Sequence, residues 1–272
     1  MSYLSMIRRK TRRVAALAVL AVVVHIAPAA ALTYTVSNTN DSGDGSLRKA
    51  ITDANGHAGA DTIWFIIGTG AKTITLASQL PDITDGVLLD GWVQPGYSNA
   101  PLIRIDGNAL PANSAGLRIY AGSTTLRGLI FTRFGTGVFV GGGDSITFRG
   151  CYFGTTGSAS GLGNGTGLRL YEGSNITFGG LLSSDPNVIS GNTTYGIYAD
   201  PGAAGITFKG NFIGTNAGGT AALANGSIGV RSFSSNVTVG GATAAERNLF
   251  SGNGDDGLVI EAGSTGVVIR GN

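Results

Sequence analysis

Carboxylates are the first residues in this sequence that could do chemistry. Asp255-Asp256-Gly257 sets two acidic side chains next to each other, and Asp200 and Glu261 each stand fifth in a segment opened by a glycine, Gly196 and Gly257. Two carboxylates flanking a bond are what a glycosidase needs, and carboxylates holding Ca²⁺ beside a basic residue are what a lyase acting on an acidic glycan needs. The same residues have a plainer reading. Asp255 and Asp256 suit a solvated turn, and Asp200 precedes Pro201-Gly202, a turn-starting position. The plainer reading carries more weight, so no residue is assigned as catalytic. Asn38, Asn40, Asp41 and Asp44 offer oxygen ligands in a Gly-rich loop. The twelfth position counted from Asn38 is Lys49 rather than the Glu of an EF-hand, so no cofactor beyond adventitious Ca²⁺ is expected.

Nucleophiles and metal ligands are scarce. The two histidines are His25 and His57, too few for a His-rich metal site, and a Ser-His-Asp triad in the mature chain would need His57. His57 is expected in an exposed loop. Cys151 is the single cysteine, so no internal disulfide can form. It follows Arg149-Gly150 as Asn211 follows Lys209-Gly210, which predicts a small buried residue at an Asn corner rather than a reactive thiol. Trp64 and Trp92 are expected to pack in the core rather than to stack on a ligand.

The most informative pattern combines cations with rings. From residue 116 a Gly followed by alternating apolar residues returns at Gly116, Gly137, Gly167, Gly196, Gly229 and Gly257, at intervals of 21, 30, 29, 33 and 28 residues. If the residue after each Gly points inward, the third position points outward. That position reads Arg118, Phe139, Arg169, Tyr198, Arg231 and Val259, and the fifth position adds Tyr120, Tyr171 and Phe233. Two readings stand for this stripe. Each Arg stacks on a neighbouring ring and the surface satisfies itself, or the stripe is a ledge where an acidic polysaccharide lays its sugars on the rings and its carboxylates on Arg.

The elements that must position the stripe follow from the repeat. Eight to ten residues after each Gly a second short strand begins, at Thr124, Ile146, Ile176, Ile206, Val237 and Val267, and a third appears at Leu129, Cys151, Asn187, Asn211 and Asn248. Three period-2 strands per coil, divided by Gly and Asn turns, predict an all-β fold, a parallel β-helix whose coils stack into three sheets. The Asn and Gly corners suit positive φ, and Asn stacked on Asn can form a hydrogen-bonded ladder. Two coils separate Asp200 from Glu261, about 9.6 Å at the spacing of paired strands, the upper limit for an inverting carboxylate pair. Residues 32–115 read as an N-terminal cap and first irregular coils, with strands at 33–37, 62–67, 73–76, 86–89 and 102–105, and residues 116–272 as the regular coils. The short capping helix is read from Ser46 as N-cap, from Leu47, Ala50, Ile51 and Ala54 on one face, and from a stop at Asn55-Gly56.

The N-terminus reads as an address. Five basic residues between Arg8 and Arg13 precede an apolar run over 14–26, and Ala29-Ala30-Ala31 supplies small residues for cleavage, so residues 1–31 are predicted to be a removed signal peptide. The run is too short to cross a bilayer, and no membrane span is expected. The mature chain keeps 13 basic against 16 acidic residues, which gives no reason to expect nucleic acid as a partner. The 46 glycines without a G-x-y period exclude collagen, and the low charge excludes a disordered polyelectrolyte.

The run from Tyr34 through Ser46-Leu47-Arg48-Lys49-Ala50-Ile51 to Asn55, the Gln94-Pro-Gly-Tyr97 segment, Asn187-Val-Ile-Ser-Gly-Asn192 and Asn211-Phe-Ile-Gly-Thr215 resemble bacterial exported right-handed parallel β-helix repeat proteins, pectin-lyase-like in fold. The resemblance covers residues 32–272 and carries no common catalytic motif. Known enzymes of this fold cleave acidic polysaccharides, and Asp255-Asp256-Gly257 is similar to the Asp pair of polygalacturonase-type enzymes, but that family's N-T-D, G-H-G and R-I-K signatures are missing. The expectation is therefore a secreted or cell-surface module, adhesive, structural or polysaccharide-binding, with a polysaccharide lyase or glycoside hydrolase as the alternative. The chain stops at Arg270-Gly271-Asn272, where another strand is due, so it is expected to be part of a longer protein.

Overall fold

The computed structural model describes residues 30–157 and 162–272. One coil shows how the chain is wound. The strand Thr166–Gly179 runs along a first face, bends near Gly173 to Asn175, and continues along a second face, after which Val188–Ile189 lies on a third. Every rung pairs in parallel with its counterparts in neighbouring coils. The first face stacks Ala115–Ile119, Thr136–Val140, the start of Thr166–Gly179, Ile197–Ala204, Val230–Ser232 and Leu258–Ile260. The second begins with Thr33–Val36 and ends with Val268–Arg270, and the third runs from Lys72–Thr75 to Leu249–Phe250. The expected parallel three-strand coil is the observed one. The early coils add strands to the second and third faces and meet the first through the bridge between Ile83 and Ile119 and the bond from Ala115 N to Gln79 Oε1.

Inward residues form one apolar core from Val36 to Val239. Because equivalent positions repeat at the coil rise, identical side chains stack: Phe148, Phe178 and Phe208 have ring centroids 4.9 and 5.0 Å apart. Two Asn ladders close the corners. Asn187, Asn211, Asn248 and Asn272 are linked side chain to side chain at 2.8 to 2.9 Å, and Asn164, Asn192, Asn225 and Asn253 at 2.9 to 3.0 Å. Each Asn amide also donates to a buried backbone carbonyl, Asn192 Nδ2 to Phe153 O for example, so otherwise orphaned corner carbonyls are satisfied. The ladder asparagines do not take positive φ, contrary to the simplest expectation for Asn at a corner. At the ladder corners the left-handed conformation falls on the preceding glycine, at Gly150, Gly191, Gly210, Gly252 and Gly271, and it also falls on Ser123, Ser145, Asn175, Gly205, Asn236 and Gly266, where the chain turns onto the second face. The repeat glycines do another job. A Cβ at Gly137 would meet Gly167 O at 2.5 Å and the Asn164 amide at 3.0 Å, so these glycines let adjacent backbones and the ladder approach.

The cap is a helix, Leu47–Gly56, with Lys49 N donating to Ser46 Oγ and with Leu47, Ala50, Ile51 and Ala54 buried. Its end differs from the expected glycine stop. Gly56 stays helical without positive φ, and extended His57 ends the helix by donating its N–H to Ala54 O. Asn55 instead ties the helix to the next coil, donating to Asp82 O and accepting from Thr84 N. Among the described residues no helix is long and apolar enough to cross a membrane. The predicted signal segment lies almost wholly outside the described residues.

Neither tryptophan packs in the core. Trp64 lies between buried Ile63 and Phe65 in Asp61–Phe65, and strand alternation turns it outward, 40% exposed. Trp92 lies outside the second face against the guanidinium groups of Arg127 and Arg149, which are 4.7 and 5.7 Å from its ring centre. Both arginines are held by aspartates, Arg127 by Asp90 and Arg149 by Asp185. These two cation–ring contacts tie the segment that follows Asp90 to the second face.

Candidate functional site

The register of the first face places the predicted stripe residues in one column. Arg118 pairs with Phe139, Phe139 with Arg169, Arg169 with Tyr198, Tyr198 with Arg231, and Arg231 with Val259. From Arg118 to Arg231 all point outward between buried neighbours, whose side chains enter the core, whereas the residues flanking Val259 in the last coil are only partly buried. The rings touch in two groups. Tyr120, Phe139 and Tyr171 form one, with successive centroids 6.2 and 6.1 Å apart, and Tyr195, Tyr198 and Phe233 form the other, at 5.2 and 5.7 Å. Arg169 joins them, 5.8 Å from both the Tyr171 and Tyr198 ring centres. Tyr120 and Tyr171 are each nearly half exposed.

The arginines are not equivalent. Arg169 makes a two-pronged contact with Asp200, Nε to Oδ2 at 2.9 Å and Nη2 to Oδ1 at 3.2 Å. Arg231 donates to Glu261 Oε1 at 2.7 Å and to Tyr195 OH at 3.4 Å. The bond to Asp200 raises the Arg169 pKa, and the bonds to Tyr195 and then Glu261 raise that of Arg231. The Arg118 side chain makes no ion pair, hydrogen bond or ring contact among the described residues. It lines an open depression of about 290 Å³ with Asn113, Tyr120, Phe139 and Arg169, and a neighbouring one of about 260 Å³ is lined by Thr166, Arg169, Tyr195 and Tyr198. Together they make a shallow groove of rings with one unpaired cation.

The other candidates are dispersed. Asp200 and Glu261 do fall in one outward column, two coils apart, but each holds an arginine. Asp255 and Asp256 are exposed at the corner entering the first face, and Asp255 accepts from Ser227 Oγ at 2.7 Å. Near the cap, Asp41 accepts from Arg48 and from Ala77 N, Asn38 Oδ1 accepts from Asn40 N, and Asn38 Nδ2 donates to Asp44 O. No group of three or more His, Cys, Asp or Glu able to hold a metal occurs among the described residues. Cys151 is fully buried, its N–H donating to Asn187 Oδ1 at the start of that ladder, and burial pushes its thiol up to about 12. His57 is half-buried rather than exposed, because Nδ1 sits 3.1 Å from both oxygens of buried Asp61.

Tyr195 belongs to the face and was not expected there. It stands immediately before Gly196, in the column of Thr136 and Thr166, and the recurrence of that position in every coil was the available signal. A second exposed apolar area lies at Leu181 and Leu182, about 60% exposed, beside Pro186, Phe212 and Ala244.

A family model described as right-handed beta helix region matches residues 96–272, about two thirds of the chain. No curated protein matches it.

Proposed function

The chain belongs to the right-handed β-helix family, and from that premise we propose that its first face is a binding ledge for a polysaccharide carrying acidic groups, on a module exported to the cell surface or beyond. One observation carries the reading: an outward column of rings spanning several coils, with unpaired Arg118 in the adjoining depression. Pyranose rings stack on such side chains through their apolar faces, and a guanidinium takes a carboxylate in a fork. The basic residues, apolar run and small residues at the N-terminus support export. The engagement of Asp200 and Glu261 by arginines favours a binding role over hydrolysis, which needs an acid and a base free to exchange protons.

Calorimetric titration with a glucuronate-bearing xylan oligosaccharide tests this. Arg118→Ala should weaken binding and remove most of its salt dependence, whereas Tyr171→Ala should weaken it and leave the salt dependence in place. Binding unchanged in both variants contradicts the ledge. New reducing ends or unsaturated uronates that vanish in Asp200→Asn would replace it with the catalytic alternative.

A further inference from the structure

We propose that the first face selects glycans in which an isolated acidic group sits within a neutral stretch and discriminates against uniformly charged polyuronates; this rests on the glycan-binding reading above.

The inference comes from how charge is spread along the face. The bridge between Ile83 and Ile119 puts Asp82 one rung below Arg118 in the outward column, and Asp82 makes no ion pair among the described residues. Two rungs above Arg118, Arg169 is already taken by Asp200, and two rungs further Arg231 is taken by Glu261. Asp256 adds a further exposed carboxylate at the edge of the last coil. Three arginines therefore face at least four carboxylates, and the one cation without a carboxylate partner has acidic residues on either side of it along the stack. A carboxylate arriving at Arg169 or Arg231 must displace an internal one and gains little by the exchange. A carboxylate arriving at Arg118 displaces nothing.

The spacing sharpens the choice. A polyuronate carries a charge on every sugar, so one lying along the groove would bring carboxylates within a Debye length, about 8 to 10 Å, of Asp82, Asp200 and Glu261. The rings from Tyr120 to Phe233 span four rungs, about 19 Å at the spacing of paired strands, and offer stacking that needs no charge. A neutral backbone with one acidic branch uses both features, with its acid on Arg118 and its uncharged sugars on Tyr171, Tyr198 and Phe233.

The test compares three polymers on the full mature chain by affinity electrophoresis at low salt: a sparsely substituted glucuronoxylan, an unsubstituted xylan and polygalacturonate. The expected order places glucuronoxylan first. The double variant Asp200→Asn, Glu261→Gln frees two arginines and should raise polygalacturonate affinity about three- to tenfold, leaving unsubstituted xylan unchanged. Thermal melting checks that the variant is folded, and each single substitution serves if the double one is not. Polygalacturonate binding the wild-type chain as tightly as glucuronoxylan, or no gain in the folded variant, overturns the selectivity while the glycan-binding reading survives. Failure of the wild-type chain and the variant to bind any of the three removes that reading and the selectivity with it.

Discussion

At the scale of single residues, the molecule rests on side chains that replace backbone partners at corners. Asn192 shows the arrangement: its Oδ1 accepts from Asn164 Nδ2, and its Nδ2 donates to Asn225 Oδ1 and Phe153 O. Asn192→Ala should leave buried groups on three coils unsatisfied and cost about 3 kcal/mol, read as a lowered denaturation midpoint. A surface-like loss of a few tenths would mean that the ladder is incidental. Cys151 fills the equivalent rung with a thiol instead of an amide, and the likeness of Arg149-Gly150-Cys151 to Lys209-Gly210-Asn211 made that place legible. Burial raises its pKa from 9.0 to about 12, so the folded state keeps the proton where the unfolded chain loses it. Stability owed to this group is complete below pH 9 and is lost as pH rises toward 12. Between about pH 8 and about pH 10.5 the wild-type chain should lose more stability than Cys151→Ala, and Cys151 should stay unreactive to thiol reagents until denaturant is added.

At the scale of elements, the cap helix and the strands were readable because each is set by local pattern. Ser46 before an i, i+3, i+4, i+7 apolar set could cap and bury only one way, and all four apolar residues are buried. Ile51→Asp puts a charge against the first coils with no partner and should cost about 3 to 5 kcal/mol or prevent folding. A soluble variant with unchanged melting would contradict the capping role. Ser46→Ala should cost about 1 kcal/mol through loss of the Lys49 N–H bond, checked by the same melting series. The tryptophans were misread because aromatic size was weighed above parity: alternation of Ile63, Trp64 and Phe65 already turned Trp64 outward. Trp92 needed knowledge of Arg127 and Arg149, 35 and 57 residues away in sequence, which no local pattern supplies.

At the scale of the whole molecule, stacking converts a one-dimensional repeat into a surface. Arg118, Phe139, Arg169, Tyr198 and Arg231 are at least 21 residues apart in sequence yet stand on successive rungs, and the period alone allowed the column to be read. What the period could not reveal was which arginines are already satisfied. The partners Asp200 and Glu261 lie one coil away from Arg169 and Arg231 and two positions along their strands, a diagonal that depends on side-chain rotamers rather than register. The central claim is that this surface is where a glycan sits, and hydroxyl-radical footprinting with a glucuronate-bearing xylan oligosaccharide tests it most directly. The account predicts protection of Tyr120, Tyr171 and Tyr198 at saturation, with Leu181, Leu182 and Trp64 unchanged. Protection confined to Leu181 and Leu182, or none on the first face while binding is measured, would contradict it.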